Sequence, residues 1–122
     1  MVDATGRKIT YLRLSITDRC NLRCNYCLPH PIENIAHGDI LRYEEILRVC
    51  GVMVNLGVTN IRVTGGEPLV RRGCVEFLHE LKKIANTSLT TNGVLLEPYV
   101  KNLADINVNI SLDSLNPERM RY

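Results

Sequence analysis

A chain of 122 residues, 45% hydrophobic and carrying a formal net charge of +2, has the size and composition of one domain with a real core. No apolar run approaches the roughly 18 residues that span a bilayer, which excludes a membrane helix, and the weak, unclustered charge gives no case for a nucleic-acid partner. Five cysteines, an odd number, together with the absence of an apolar core in Met1 to Lys8, lead us to expect a cytoplasmic, reducing setting rather than a secreted disulfide scaffold.

Ile9 to Thr17 reads as a strand, with Leu12, Leu14 and Ile16 on one face and Arg13, Ser15 and Thr17 on the other. A cysteine loop follows, Thr17-Asp18-Arg19-Cys20-Asn21-Leu22-Arg23-Cys24-Asn25-Tyr26-Cys27, then a polar connection from Pro29 to Asp39. Tyr43 to Leu56 reads as a helix whose stripe is Ile46, Val49, Cys50 and Met53. Glu44 and Glu45 suit its N-terminal end and Gly57 its stop, whereas Arg42 is a poor N-cap. Val58 to Thr64 is the second strand, and Arg72 to Ala85 the second helix, with Cys74, Phe77, Leu78 and Leu81 at core spacing. Ser88 to Thr91 is a short strand ending in the turn pair Asn92-Gly93. A short helix is expected over Pro98 to Ala104, and Asp105 to Leu112 is the last strand, with Ile106, Val108, Ile110 and Leu112 alternating against polar residues. Asn116-Pro117 has the form of a further helix start.

Repeated βα units argue for an α/β fold with a parallel sheet and right-handed crossovers. Parallel strands covered on both sides read as continuous apolar runs, but these keep one polar face. That face suits the lumen of an open or wide barrel, giving an incomplete (β/α) barrel with about four parallel strands. The strand ends carry the punctuation: the cysteine loop, Gly65-Gly66-Glu67-Pro68, Thr91-Asn92-Gly93 and Ser111-Leu112-Asp113. All four fall on the rim where barrel enzymes build their sites.

Cys20, Cys24 and Cys27 place three thiolates in one short loop, enough to hold three corners of an iron–sulfur cube and leave the fourth iron open. Zinc is the alternative, with His30 completing a Cys3His tetrahedron, and spacing alone leaves both readings standing. Arg13 and Arg62 both fall on polar strand faces, where a guanidinium needs an anionic partner. A bound triphosphate would serve, and so would a structural ion pair with Glu67 or Asp113. Cys50 and Cys74 read as core residues, and His30, His37 and His79 as surface histidines. Arg71 and Arg72 fit either an anion site or an exposed helix start.

Taken together these motifs resemble the radical S-adenosylmethionine (SAM) superfamily. The C-x3-C-x2-C motif has an aromatic, Tyr26, before its third cysteine, and Gly65-Gly66-Glu67-Pro68 looks like the superfamily's GGEP motif. Tyr11 to Cys24, Ile61 to Leu69, Leu89 to Gly93 and Ile110 to Leu115 resemble, within it, the GTP 3′,8-cyclase family of molybdenum-cofactor (molybdopterin) biosynthesis. The resemblance implies a [4Fe-4S] cluster on Cys20, Cys24 and Cys27, and SAM contacts from Tyr26, Gly66, Thr90 and Ser111. It implies GTP contacts from Arg13 and Arg62, and an electron donor as partner. The implied activity is a lyase reaction that converts GTP to the 3′,8-cyclised intermediate.

The chain departs from that family in several places. Asn60 stands where a lysine is usual, Leu28 where a methionine is usual, and Arg42 where Ser or Thr starts the helix; the stretch from Leu81 to Thr90 is short. The family barrel has more βα units than this chain and a C-terminal region with a second cluster. Residues 1–122 are therefore expected to be the N-terminal portion of a radical SAM core, truncated before barrel closure and lacking that region. A second chain or the missing region then becomes an expected partner. Another radical SAM activity and a non-catalytic metal-binding fragment are the competing readings.

Overall fold

The computed structural model describes residues 2–27, 35–116 and 118. Leu28, His30, Pro117 and the expected terminal helix beyond it lie outside these residues. The strands are β1 (Tyr11–Ser15), β2 (Asn60–Thr64), β3 (Asn86–Thr91) and β4 (Asn107–Ile110), and the helices are α1 (Tyr43–Asn55) and α2 (Cys74–Lys82). They form one four-stranded sheet in the order β1-β2-β3-β4, every neighbouring pair parallel. This is the α/β open-barrel arrangement expected from the alternating pattern.

Register puts the two faces in rows. Leu14, Val63, Leu89 and Val108 pair in sequence across the sheet, and one step away Arg13, Arg62, Ser88 and Asn107 do the same. The first row faces the helices, because side chains alternate along a strand and only one face has apolar cover. Ile61, Val63, Leu78, Leu81 and Leu89 are wholly buried there, alongside Ile46 and Cys50 of α1 and Phe77 of α2. Each such aliphatic side chain contributes about 1.5–3 kcal/mol relative to leaving it in water. Tyr43 stacks on Phe77 with ring centroids 4.6 Å apart, joining the two helices.

Three local expectations change. Arg42 carries no acceptor, yet α1 is capped: the Glu45 carboxylate accepts from the Arg42 backbone N–H at 2.7 Å. The third helical residue thus does the work expected of the cap residue. Second, α2 begins at Cys74 rather than Arg72, because Gly73 adopts φ 81° and turns the chain into the helix. Third, the helix expected over Pro98 to Ala104 is only a 3₁₀ turn, Glu97–Tyr99. So short a segment makes too few hydrogen bonds to repay helix nucleation, and buried Leu103 and Ile106 anchor the connection instead.

Arg71 belongs to this framework. Its guanidinium donates to the carbonyls of Ile16 and Leu41, both at 2.6 Å, and lies 4.1 Å from the Tyr43 ring centroid. It ties the end of β1 to the entry of α1, so structure claims the cation that could have served an anion. Cys50 and Cys74 are core residues, as expected. Burial, reinforced by the negative charge of Glu67, pushes the Cys74 thiol up to about 12.

Candidate active site

The site begins where β1 ends. Two backbone hydrogen bonds dock the cysteine loop onto the loop after β2: Gly66 N–H donates to Thr17 O at 2.7 Å, and Glu67 N–H to Arg19 O at 2.8 Å. Both glycines are dictated by that contact. A Cβ on Gly65 would stand 2.7 Å from Thr17 O, and one on Gly66 would stand 2.8 Å from Asp18 O and overlap the Arg19 carbonyl. Close backbone approach, rather than positive φ, is the physical reason for the pair.

Glu67 points away from the polar face. It is 1% exposed, and its carboxylate accepts from Leu69 N–H at 3.0 Å, Thr91 Oγ1 at 2.8 Å and Asn92 N–H at 2.7 Å. A buried carboxylate is tolerated when its lone pairs are filled in this way. The residue therefore links the rim loop of β2 to the end of β3. Asn92 then reaches the cysteine loop, its Nδ2 standing 2.8 Å from Asn21 Oδ1 and 3.9 Å from Cys20 Sγ. Leu22 N–H also donates to Cys20 Sγ, at 3.4 Å.

On the other side of the loop, the Tyr26 hydroxyl lies 3.1 and 2.8 Å from the two carboxylate oxygens of Asp113. The cysteine loop is thus tied to the ends of β2, β3 and the segment after β4. Ser111 continues the ladder beyond β4 through its N–H to Thr91 O at 2.8 Å. Asp18 receives Ile35 N–H at 2.6 Å on one oxygen.

All five cysteines are reduced thiols; Cys20 and Cys24 are half-buried and Cys27 is exposed. Among the described residues no three His, Cys, Asp or Glu side chains converge tightly enough to hold a metal ion. The three thiols nevertheless lie within one short loop, and the Cys20 sulfur already accepts N–H donors. That donor chemistry fits an iron–sulfur cluster, whose ligands are thiolates supported by N–H groups.

The polar face carries the second half of the site. Arg13 and Arg62 are register partners, and among the described residues neither has a carboxylate within ion-pair distance. Both structural partners expected for them are used elsewhere, Glu67 in the buried brace and Asp113 on Tyr26. Arg62 Nε and Thr90 Oγ1 are buried atoms without a hydrogen-bond partner, and the Arg62 guanidinium carbon is 5.7 Å from the Tyr11 ring centroid. A groove of about 440 Å³ runs beside Arg62, lined among others by Tyr11, Asn60, Asn86, Ser88 and Asn107. Polar atoms held out of water without partners are expensive, and a polar ligand in this groove could supply the missing partners.

The contacts place Cys20, Tyr26, Gly66 and Ser111 on one rim, with Arg13, Arg62 and Thr90 on the polar sheet face; Cys24 and Cys27 share the loop of Cys20, but the three thiols do not converge. The sequence reading missed Asn92, taken as a turn residue, and the Tyr26–Asp113 contact. The ion pair with Glu67 or Asp113, left open by the sequence, is not formed among the described residues. The position of Asn92 on the same rim as the cysteines was the one signal available.

The chain is 53% identical to the GTP 3′,8-cyclase of Petrotoga mobilis over 97% of its own length, and 50% identical to that of Geobacter sulfurreducens over 99%. It spans 39% of each of these curated relatives. The fold matches Streptococcus suis SuiB bound to precursor peptide SuiA with a TM-score of 0.77 at 23% identity, over 90% of this chain and 26% of SuiB. It matches BtrN in an open conformation with a TM-score of 0.63 at 16% identity, over 93% of this chain and 54% of BtrN. The family model for the radical SAM superfamily covers residues 14–122, and with that match across the cysteine loop and the later rim motifs, the chain belongs to the radical SAM superfamily.

Proposed function

We propose that this chain is the cluster- and SAM-binding part of a GTP 3′,8-cyclase, the enzyme that makes the first intermediate of molybdopterin biosynthesis. The observation that carries the GTP assignment is Arg62, whose buried Nε has no partner, beside its exposed register partner Arg13, both unmatched by carboxylate among the described residues. Two guanidiniums in register suit the phosphates of a nucleoside triphosphate through charge-assisted hydrogen bonds.

In this reading Cys20, Cys24 and Cys27 hold a [4Fe-4S] cluster. When bound, the cluster and SAM supply one-electron cleavage of SAM and hydrogen abstraction from the substrate, with the electron arriving from an external donor. The chain's own residues position the partners. The docked loop holds the thiols at the rim, while Tyr26, the Gly66 backbone, Thr90 and Ser111 orient SAM. Arg13 and Arg62 hold GTP with its ribose towards that rim. The amide of Asn60 replaces a cationic partner, which weakens the triphosphate grip without removing it.

Among the described residues no helix is long and apolar enough to cross a membrane, in keeping with the cytoplasmic setting we propose. Further barrel strands, from a longer chain or a second one, would be needed to wall the lumen, since radical chemistry requires a site closed to water. GTP cyclisation by the 122-residue polypeptide alone is not expected, and detection of the cyclised product from it would overturn that part of the proposal.

Anaerobic reconstitution tests the whole reading. Iron and sulfide content, with electron paramagnetic resonance (EPR) of the reduced cluster before and after adding SAM, should show a SAM-responsive [4Fe-4S] centre that is lost in Cys24→Ala. Arg62→Ala should weaken GTP binding by about 10–100-fold, the worth of one charged hydrogen bond. Zinc in place of iron would sink the cluster assignment. SAM cleavage with unchanged GTP binding in Arg62→Ala would favour another radical SAM activity.

A further inference from the structure

Asn92 follows β3, in a turn where its Oδ1 accepts from Val94 N–H at 3.0 Å. That bond leaves its amide nitrogen to face the cysteine loop, 2.8 Å from Asn21 Oδ1 and 3.9 Å from Cys20 Sγ. The backbone of Asn92 is itself held, its N–H donating to Glu67 Oε2 at 2.7 Å. Glu67 is braced in turn by Thr91 Oγ1 and Leu69 N–H, so the amide is fixed at both ends. A turn residue with no such duty would need neither a buried carboxylate behind it nor a sulfur in front of it.

We propose that Asn92 is a positioning residue of the cysteine loop, holding Asn21 and donating an N–H to the sulfur of Cys20, with Glu67 as its anchor. The inference rests on the reading of Cys20 as a cluster ligand. An N–H directed at a ligand sulfur stabilises the more negative, reduced state, so it raises the reduction potential of the centre. Loosening the loop to admit water acts in the opposite sense to removing that donor, because solvent also stabilises the reduced state. The direction of the shift therefore separates a specific donor from a merely structural contact.

The test is a redox titration of the reconstituted protein followed by EPR. Asn92→Ser keeps a hydroxyl to accept from Val94 N–H but cannot reach Cys20. It should take up a cluster, shift the midpoint potential to a more negative value and alter the EPR line shape. Asn21→Ala removes the competing acceptor and leaves Cys20 Sγ to receive the Asn92 amide; its potential should stay at or above that of the wild type. An unchanged or raised potential in Asn92→Ser overturns the inference, and so does a fall in Asn21→Ala. If Asn92→Ser does not fold, Asn92→Thr, which keeps the hydroxyl and also lacks the amide, takes its place, and an unchanged or raised potential in it overturns the inference. A wild-type protein that binds no cluster overturns the cluster reading itself, and the two failures are told apart by that first sample.

Discussion

Gly66 faces the carbonyl of Arg19 so closely that a Cβ would stand 2.7 Å from the Arg19 carbonyl carbon and overlap its oxygen. The atoms in the way are backbone, which cannot swing aside. Gly66→Ala should therefore destabilise the protein by about 1–3 kcal/mol, the usual cost of overpacking. It should also reduce the iron bound after reconstitution, because the cysteine loop can no longer seat. Urea unfolding and iron analysis measure the two effects; Gly38→Ala, where a Cβ meets nothing within 4 Å, should leave both unchanged.

Glu67 offers a second test of the rim. Glu67→Ala strands Leu69 N–H, Thr91 Oγ1 and Asn92 N–H, and buried donors left unpaired cost about 1–3 kcal/mol each before relaxation or water entry. We expect a loss of at least about 2 kcal/mol in denaturant unfolding, with Glu67→Gln losing less because an amide oxygen can still accept. Equal stability of Glu67→Ala and the wild type would show that the brace is not formed in solution.

Gly51 lies inside α1 with open space where a Cβ would be. Replacing a mid-helix glycine by alanine gains about 1 kcal/mol in helix propensity. Gly51→Ala should raise the unfolding midpoint without touching the site, and cluster content should follow the wild type.

The buried thiols set an alkaline limit. Cys74 is held up to about 12 against an ordinary 9.0, so between those values the unfolded chain releases a proton that the folded chain keeps. The stabilisation is complete below pH 9 and falls as pH rises towards 12. Cys50 and Tyr43 are shifted in the same sense by burial, so Cys74→Ala should flatten the alkaline slope without abolishing it. In the metal-free protein at pH near 8, iodoacetamide should label Cys20, Cys24 and Cys27 and spare Cys50 and Cys74; mass spectrometry reads the outcome.

The alternation of Leu12 with Arg13 and of Ile61 with Arg62 was enough to place strands, their faces and a polar lumen, since strand periodicity is local. The order of rim motifs was legible for the same reason: each sits directly after its own strand. Local pattern could not say which way Glu67 turns, because its partners Thr91 and Asn92 come from another strand, 24 and 25 residues on. Nor could it pair Tyr26 with Asp113, 87 residues apart, or explain Gly66 by the backbone of Arg19. By itself the sequence determined the elements, their faces and the residue types at the rim. Tertiary structure alone decided which rim groups spend their hydrogen bonds on one another and that Arg13 and Arg62 meet no carboxylate among the described residues, because those contacts are set only after β1, β2 and β3 align in register.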